Sequence, residues 1–137
     1  MSDLIFNSFT RDIMNGNIDL DSHSLKVMLL SSAYTPNAAH AVKADLSGEI
    51  AGTGYTAGGK ALTSVTVGNS GGTTTFDAAD VAWTGASFTA RYAVIYDDTP
   101  TSPADPLICL IDFGGDKTVS NGTFTIQFNA AGIITLT

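Results

Sequence analysis

The chain is poor in charge and poorest in cations. Charged residues make up 14% of its 137 residues, where soluble domains carry about 25%. Lys and Arg total 6 against 13 acids, for a formal net charge of −7. The cations are Arg11, Lys26, Lys43, Lys60, Arg91 and Lys117, and they are scattered. A nucleic-acid surface needs clustered cations to displace counterions, and an anionic membrane needs a basic patch. Both are excluded as expected partners. The single Cys109 permits no internal disulfide. It lies in the apolar run Leu107-Ile108-Cys109-Leu110-Ile111 with no neighbouring cation to favour a thiolate, so it reads as a buried small hydrophobe. No apolar run approaches the length of a membrane span. The opening Met1-Ser2-Asp3-Leu4-Ile5-Phe6 has neither a basic region nor a long apolar one, so no signal peptide is expected and a reducing cytoplasm is the expected site of synthesis.

Apolar residues make up 44% of the chain, and there are 14 glycines. Disordered chains have few apolar and many charged residues, so this is a folded chain. Its length suits one hydrophobic core. The composition predicts a mainly β protein surfaced with Thr, Ser, Asn, Gly and Ala, closer to the contact surface of a subunit than to the wet surface of a monomer.

The pattern divides residues 1–137, taken as one domain, into an N-terminal arm (1–24) and a β-sandwich (25–137). Leu4, Ile5, Phe6, Phe9 and Ile13 recur near helical spacing and predict a short helix within Asp3 to Met14, stopped by Asn15-Gly16. Leu25 to Leu30 reads as the first buried strand. Residues 31–59 form a long irregular, Gly-rich segment, with at most one helical turn around Ala39 to Leu46. A segment of that kind is functional or ordered by a partner. Strands are then expected at Ala61 to Val67, Thr73 to Phe76, Val81 to Trp83 and Ser87 to Tyr96, the last with Phe88, Ala90, Tyr92, Val94 and Tyr96 on one face. Leu107 to Phe113 reads as a strand covered on both faces. Asn121-Gly122 is the preferred type I′ pair, predicting a hairpin from Lys117 to Phe128. A strand from Ile133 to Leu136 closes the chain. Many short strands with frequent turns give a single β-sandwich or jelly-roll-like domain.

Several constellations invite a chemical reading. Gly54-Tyr55-Thr56-Ala57-Gly58-Gly59-Lys60 matches the phosphate-loop spacing. The next residue, however, is Ala61 instead of a hydroxyl for magnesium, and a β pattern follows instead of a helix. The expected role is a Gly-rich loop before a strand, with no cofactor. Asn15, Asn17, Asp19 and Asp21 alternate as oxygen ligands do, but an EF-hand starting at Asn17 would need Gly and Glu where Ser22 and Met28 stand. A solvated turn is expected there, with no metal. His23 and His40 are read as ordinary loop residues, with no nucleophile elbow in the chain. Asp97, Asp98, Asp112 and Asp116 would serve a glycosidase only if one were buried, and Asp97-Asp98-Thr99-Pro100 reads as a turn in which Asp caps the backbone. Tyr34, Tyr55, Trp83, Tyr92 and Tyr96 include strand residues, so core packing is favoured over a sugar-stacking platform. The chain is expected not to be an enzyme.

In the order of its segments, the chain resembles a family of small virion structural proteins of tailed bacteriophages. Asn7 to Asp21 resembles that family's opening helix and the turn Gly16-Asn17-Ile18-Asp19-Leu20, and Leu25 to Pro36 its first strand. Gly52 to Gly59 resembles its Gly-rich loop, and Ala90 to Tyr96 its central strand. Ile111 to Gly114, Val119 to Ile126 and Gly132-Ile133 resemble its closing hairpin. The resemblance covers most of the chain, and its motifs are structural, not catalytic. It implies a virion component made in the host bacterial cytoplasm. The preferred expectation is a capsid cement or decoration protein on the capsid surface, with the major capsid protein and its own copies, as a homotrimer, for partners. A tail-tube, neck or fibre-associated subunit is the alternative, with a glycan-binding module as another. Leu4, Phe6, Phe9, Tyr34, Pro36 and Tyr55, with the 31–59 segment, are the expected contact residues.

Overall fold

A computed structural model describes residues 3–137. Met1 and Ser2, the start of the segment read above for a signal peptide, lie outside the described residues. The chain is mainly β, with two antiparallel sheets and one short helix. Its elements are β1 (Leu4–Ile5), α1 (Ser8–Met14), β2 (Leu25–Leu30), β3 (Lys60–Ala61), β4 (Thr66–Ser70), β5 (Thr73–Asp77), β6 (Val81–Asp97), β7 (Leu107–Ile126) and β8 (Ile134–Leu136). The larger sheet has the order β1-β7-β6-β2-β3, and the smaller β4-β5-β8.

The larger sheet is apolar on both faces where β2, the second half of β6 and the start of β7 meet, because those stretches are nearly continuous hydrophobic runs. Beyond Ile111, β7 is polar and largely exposed. Along β2, Leu25, Val27 and Leu29 enter a core that also holds Phe76 and Ile134 of the small sheet and Phe9 of α1. Met28 and Leu30 point the other way, into a second core with Phe6, Tyr34, Tyr92, Val94 and Tyr96. The 31–59 segment covers that second face through Tyr34 and Leu46, while its Ile50 and Tyr55 turn into the first core. It is tied down by backbone bonds from Ser31 to Gly48, from Ile50 to Leu29, from Lys43 to Asp105 and from Leu107 to Ala41. The long irregular segment is therefore ordered by its own domain. Its helical content is one 3-10 turn at Lys43–Asp45.

Several expected elements are redrawn by tertiary pairing. The helix begins only at Ser8, because Leu4 and Ile5 pair with Leu110 and Cys109 at the edge of the large sheet. It stops as expected at Asn15-Gly16, where Gly16 takes φ +77. The stretch from Ala61 to Val67 is not one strand. Lys60–Ala61 belongs to the large sheet and Thr66–Ser70 to the small one, with the chain crossing between them at 62–65.

Asn121-Gly122 does not reverse the chain. β7 runs on through it from Leu107 to Ile126, paired to β6 on both sides of a bulge at 113–116, and Asn121 takes its positive φ at a bulge opposite Ser87. The two strands expected at Val81 and Ser87 are likewise one strand, offset at Gly85. These offsets set which way side chains face. Phe88 and Ala90 enter the first core, but Tyr92, Val94 and Tyr96 enter the second. The switch falls at Arg91, where the register slips as β7 bulges between Asp112 and Lys117.

Candidate functional site

The small sheet leaves part of its inner face open. Its cross-strand rows are Val67–Phe76–Ile134 and Asn69–Thr74–Leu136. Phe76 and Ile134 are buried, whereas Val67 is 41% and Leu136 40% exposed. The outward face is Thr66, Gly68, Ser70, Thr73, Thr75 and Asp77, short and nearly uncharged. Facing the inner rows are Phe9 and Ile13 of α1 and the turn from Gly16 to His23. Together they enclose an open groove of about 450 Å³. α1 turns Phe9 and Ile13 the same way because they are four residues apart. Met14, 87% exposed, ends the helix beside them.

The turn that walls the groove is built by two buried carboxylates. Asp12, fully buried, accepts from the guanidinium of Arg11 at 3.1 Å and from Asn17 Nδ2 at 3.3 Å. Its carbonyl takes the backbone N–H of Asn17 and of Ile18. Its Oδ2 and the hydroxyl of Ser8, one helical turn earlier, lack a partner. Asp97, also fully buried, lies 2.6 Å from His23 Nδ1 and accepts the N–H of Thr99 at 3.1 Å. The expected capping role of Asp97 is therefore present, joined by a His–Asp pair that the sequence placed 74 residues apart. His23 is a tie between loops, not an ordinary loop residue. Such a pair is the orienting half of a nucleophile triad. Among the described residues, no hydroxyl or thiol donates to the other ring nitrogen.

At the groove mouth, Asp19 accepts the hydroxyl of Ser22 at 2.7 Å and the N–H groups of Ser22 and Asp21. The Ser22 hydroxyl bond, then these backbone donors, hold its carboxyl below the ordinary range. Within the alternating Asn15 to Asp21 stretch, Asp19 thus caps the turn, and Asn17 donates through its Nδ2 to Asp12. No group of three or more His, Cys, Asp or Glu is placed to hold a metal among the described residues.

The phosphate-loop spacing has a different explanation. Gly58 N–H donates to Glu49 Oε2 at 2.8 Å, and the N–H groups of Gly59 and Tyr55 donate to carbonyls of the loop itself, so these loop donors are already used. Lys60 gives its ammonium to the carbonyl of Ala82. Gly59 passes so close to β2 that an added Cβ would lie 2.0 Å from the Val27 carbonyl oxygen, at φ +85. The glycine serves chain crossing. Tyr55 donates to Glu49 at 2.6 Å and accepts from Leu29 N–H, with its ring against Trp83 and Phe88. Burial, then the Glu49 bond, raises its phenol far above the ordinary value.

The expected contact residues are placed as follows. Phe6 and Tyr34 are almost fully buried in the chain's own cores, so as placed they offer a partner no side-chain surface. Phe9 is equally buried and only backs the groove. Leu4 is half-buried in the edge strand, and Tyr55 is half-buried among aromatics. Pro36 is half-buried in the covering segment. They do not converge on one site. Trp83, Tyr92 and Tyr96 are buried as well, which leaves no platform of open rings among them. Cys109 is fully buried, and burial pushes its thiol up to about 12. Asp98 and Asp112 are paired with Lys26 and Arg91, at 3.3 and 2.9 Å. No helix among the described residues is long and apolar enough to cross a membrane. The groove was missed because its parts, 9–23, 67–76 and 134–136, are separate in sequence. The outlying apolar pair Val67 and Leu136 was its only local signal. No family model, no curated protein and no solved structure matches the chain.

Proposed function

We propose that the chain is a non-enzymatic structural subunit of a tailed-bacteriophage virion, a cement or decoration protein that seats on the assembled capsid lattice and stabilises it. The observation that carries this reading is the contrast between its two sides. One face of the large sheet is closed by the chain's own 31–59 segment, while the small sheet keeps an open apolar groove and a strand, β4, exposed along its whole length. A cement protein needs contact area and no chemistry. Shared apolar burial contributes about 25 cal/mol per Å² before the cost of association, and repeated seating on one lattice adds avidity. The major capsid protein is the partner of this reading. Association of the chain with itself closes most simply as a ring, with a homotrimer first. The free edge of β4 favours a second reading, a tail-tube or neck ring in which strands are shared between subunits.

The test is copy number in purified virions of the phage that encodes the chain, measured against the major capsid protein by quantitative mass spectrometry. Hundreds of copies in simple ratio are expected for cement. A few dozen would move the subunit to tail, neck or fibre. Absence from the particle would overturn the virion reading.

A further inference from the structure

We infer that the groove between α1 and the small sheet is a docking site for an extended apolar segment of another protein chain that carries Lys or Arg beside its anchoring side chain. The inference deepens the structural-subunit reading and rests on it for the partner's identity, though not for the site itself.

Three observations define the occupant. First, the apolar inner face of the small sheet runs past its own core. Val67 lies in one row with buried Phe76, and Leu136 in the next, yet both remain about two-fifths exposed and face into the groove. An anchoring apolar side chain would continue these rows.

Second, the site adjoins an unused strand edge. The two-residue turn Gly71-Gly72 makes Ser70 and Thr73 an exchange pair, so Gly68 with Thr75 and Thr66 with Asp77 are the next pairs. The backbone groups of Val67 and Asn69 then point away from β5, and β4 is the outer strand of its sheet. An extended peptide pairing there would send alternate side chains to the groove side. A compact small molecule would leave that edge unused.

Third, the charged groups at the groove are Asp19 and Asp21, with His23 held by Asp97. Asp19 stays ionised because Ser22 and Asp21 donate to it. This field favours a cationic segment. It disfavours a second copy, since each copy carries a net charge of −7.

The test uses the purified full-length chain. A random linear peptide library is selected on it, and the enriched peptides are synthesised and titrated by fluorescence anisotropy. The expected winners combine Leu, Ile, Val or Phe with Lys or Arg. Their affinity should fall about tenfold or more on Val67→Glu/Leu136→Glu and weaken with salt. Asp21→Lys, a change at an exposed turn position, should weaken them several-fold and flatten the salt response. It keeps the test valid if the double variant misfolds. Lack of enrichment, acidic winners, or equal binding to both variants would overturn the proposal. So would binding of oleate in the groove in place of peptide, or a concentration-dependent dimer in sedimentation that Leu136→Glu abolishes. Shell binding separates this from the functional reading. If the wild-type chain ignores capsid shells but binds basic apolar peptides, the virion reading fails and the groove stands. If wild-type and Val67→Glu/Leu136→Glu decorate shells equally, the groove fails and the virion reading stands.

Discussion

The two sheets of this chain differ both in their residues, Leu, Ile and Val at the centre of the large one against mostly Thr, Gly, Asn and Ser in β4 and β5, and in how they are finished. The centre of the large sheet, where β2 lies beside the second half of β6 and the start of β7, is covered twice, by the small sheet and α1 on one face and by Tyr34 and Leu46 of the 31–59 segment on the other. Val27, Leu29, Val94 and Ile95 are fully buried. The small sheet is covered once, and incompletely, with β4 exposed at every residue. A doubly covered sheet can give its side chains only to stability. A singly covered sheet with an apolar overhang retains surface for something else.

Substitutions can break or sharpen that contrast. The largest effect is expected for Gly59→Ala, which drives a Cβ into the Val27 carbonyl at a left-handed φ. A loss of about 4 kcal/mol or more in urea unfolding is expected. Next, Leu29→Ala should cost about 2–5 kcal/mol, while Leu136→Ala should cost under about 1 kcal/mol. Equal costs would erase the distinction between the sheets. His23→Ala leaves the buried Asp97 without its 2.6 Å partner and should cost about 2–3 kcal/mol, less than a fully buried pair because His23 is partly exposed.

The smallest effects are in the pH dependence, and all of them fall on or against the large sheet. Asp112 is held below the ordinary 3.8 by Arg91, then by Gly114 N–H. Its contribution is complete above that value and lost as pH falls through the lower folded pKa. Arg91→Gln should reduce this slight acid dependence to the part held by the Gly114 N–H. On the alkaline side, burial raises Tyr55 and Tyr96 above 10 and Cys109 to about 12. Stability from these groups is complete below their unfolded values and is lost as pH rises toward the folded ones. All three pack with the large sheet, so alkaline unfolding should start there. Cys109 should resist alkylation at pH 8 until the chain unfolds.

Much of the large sheet was legible in the sequence. Leu25 to Leu30 has the bounds read from its apolar run, and the mainly β, sandwich-like class follows from turn spacing and composition. Local chemistry misled where pairing decided the outcome. Asn121-Gly122 has the composition of a hairpin turn, yet a bulge opposite Ser87 uses the same positive φ without reversing the chain. Tyr92 alternates with Ala90 in sequence, but the register slip at Arg91 puts them in different cores. The groove was not legible at all. It depends on α1 lying opposite β5 and β8, a juxtaposition no local pattern encodes. The His23–Asp97 tie was equally hidden, since neither residue has a distinctive neighbour.

The pairing of β1 with β7 has a consequence for synthesis. Leu4 meets Leu110, roughly a hundred residues later in the chain. At translation rates of about 5–20 residues per second, the first strand waits roughly 5–20 s for its partner to emerge. During that interval Leu4, Ile5 and Phe6 leave the ribosome as bare apolar sequence. The sheet closes only when the last third of the chain is out, so truncated chains should be held by chaperones or aggregate instead of folding in part.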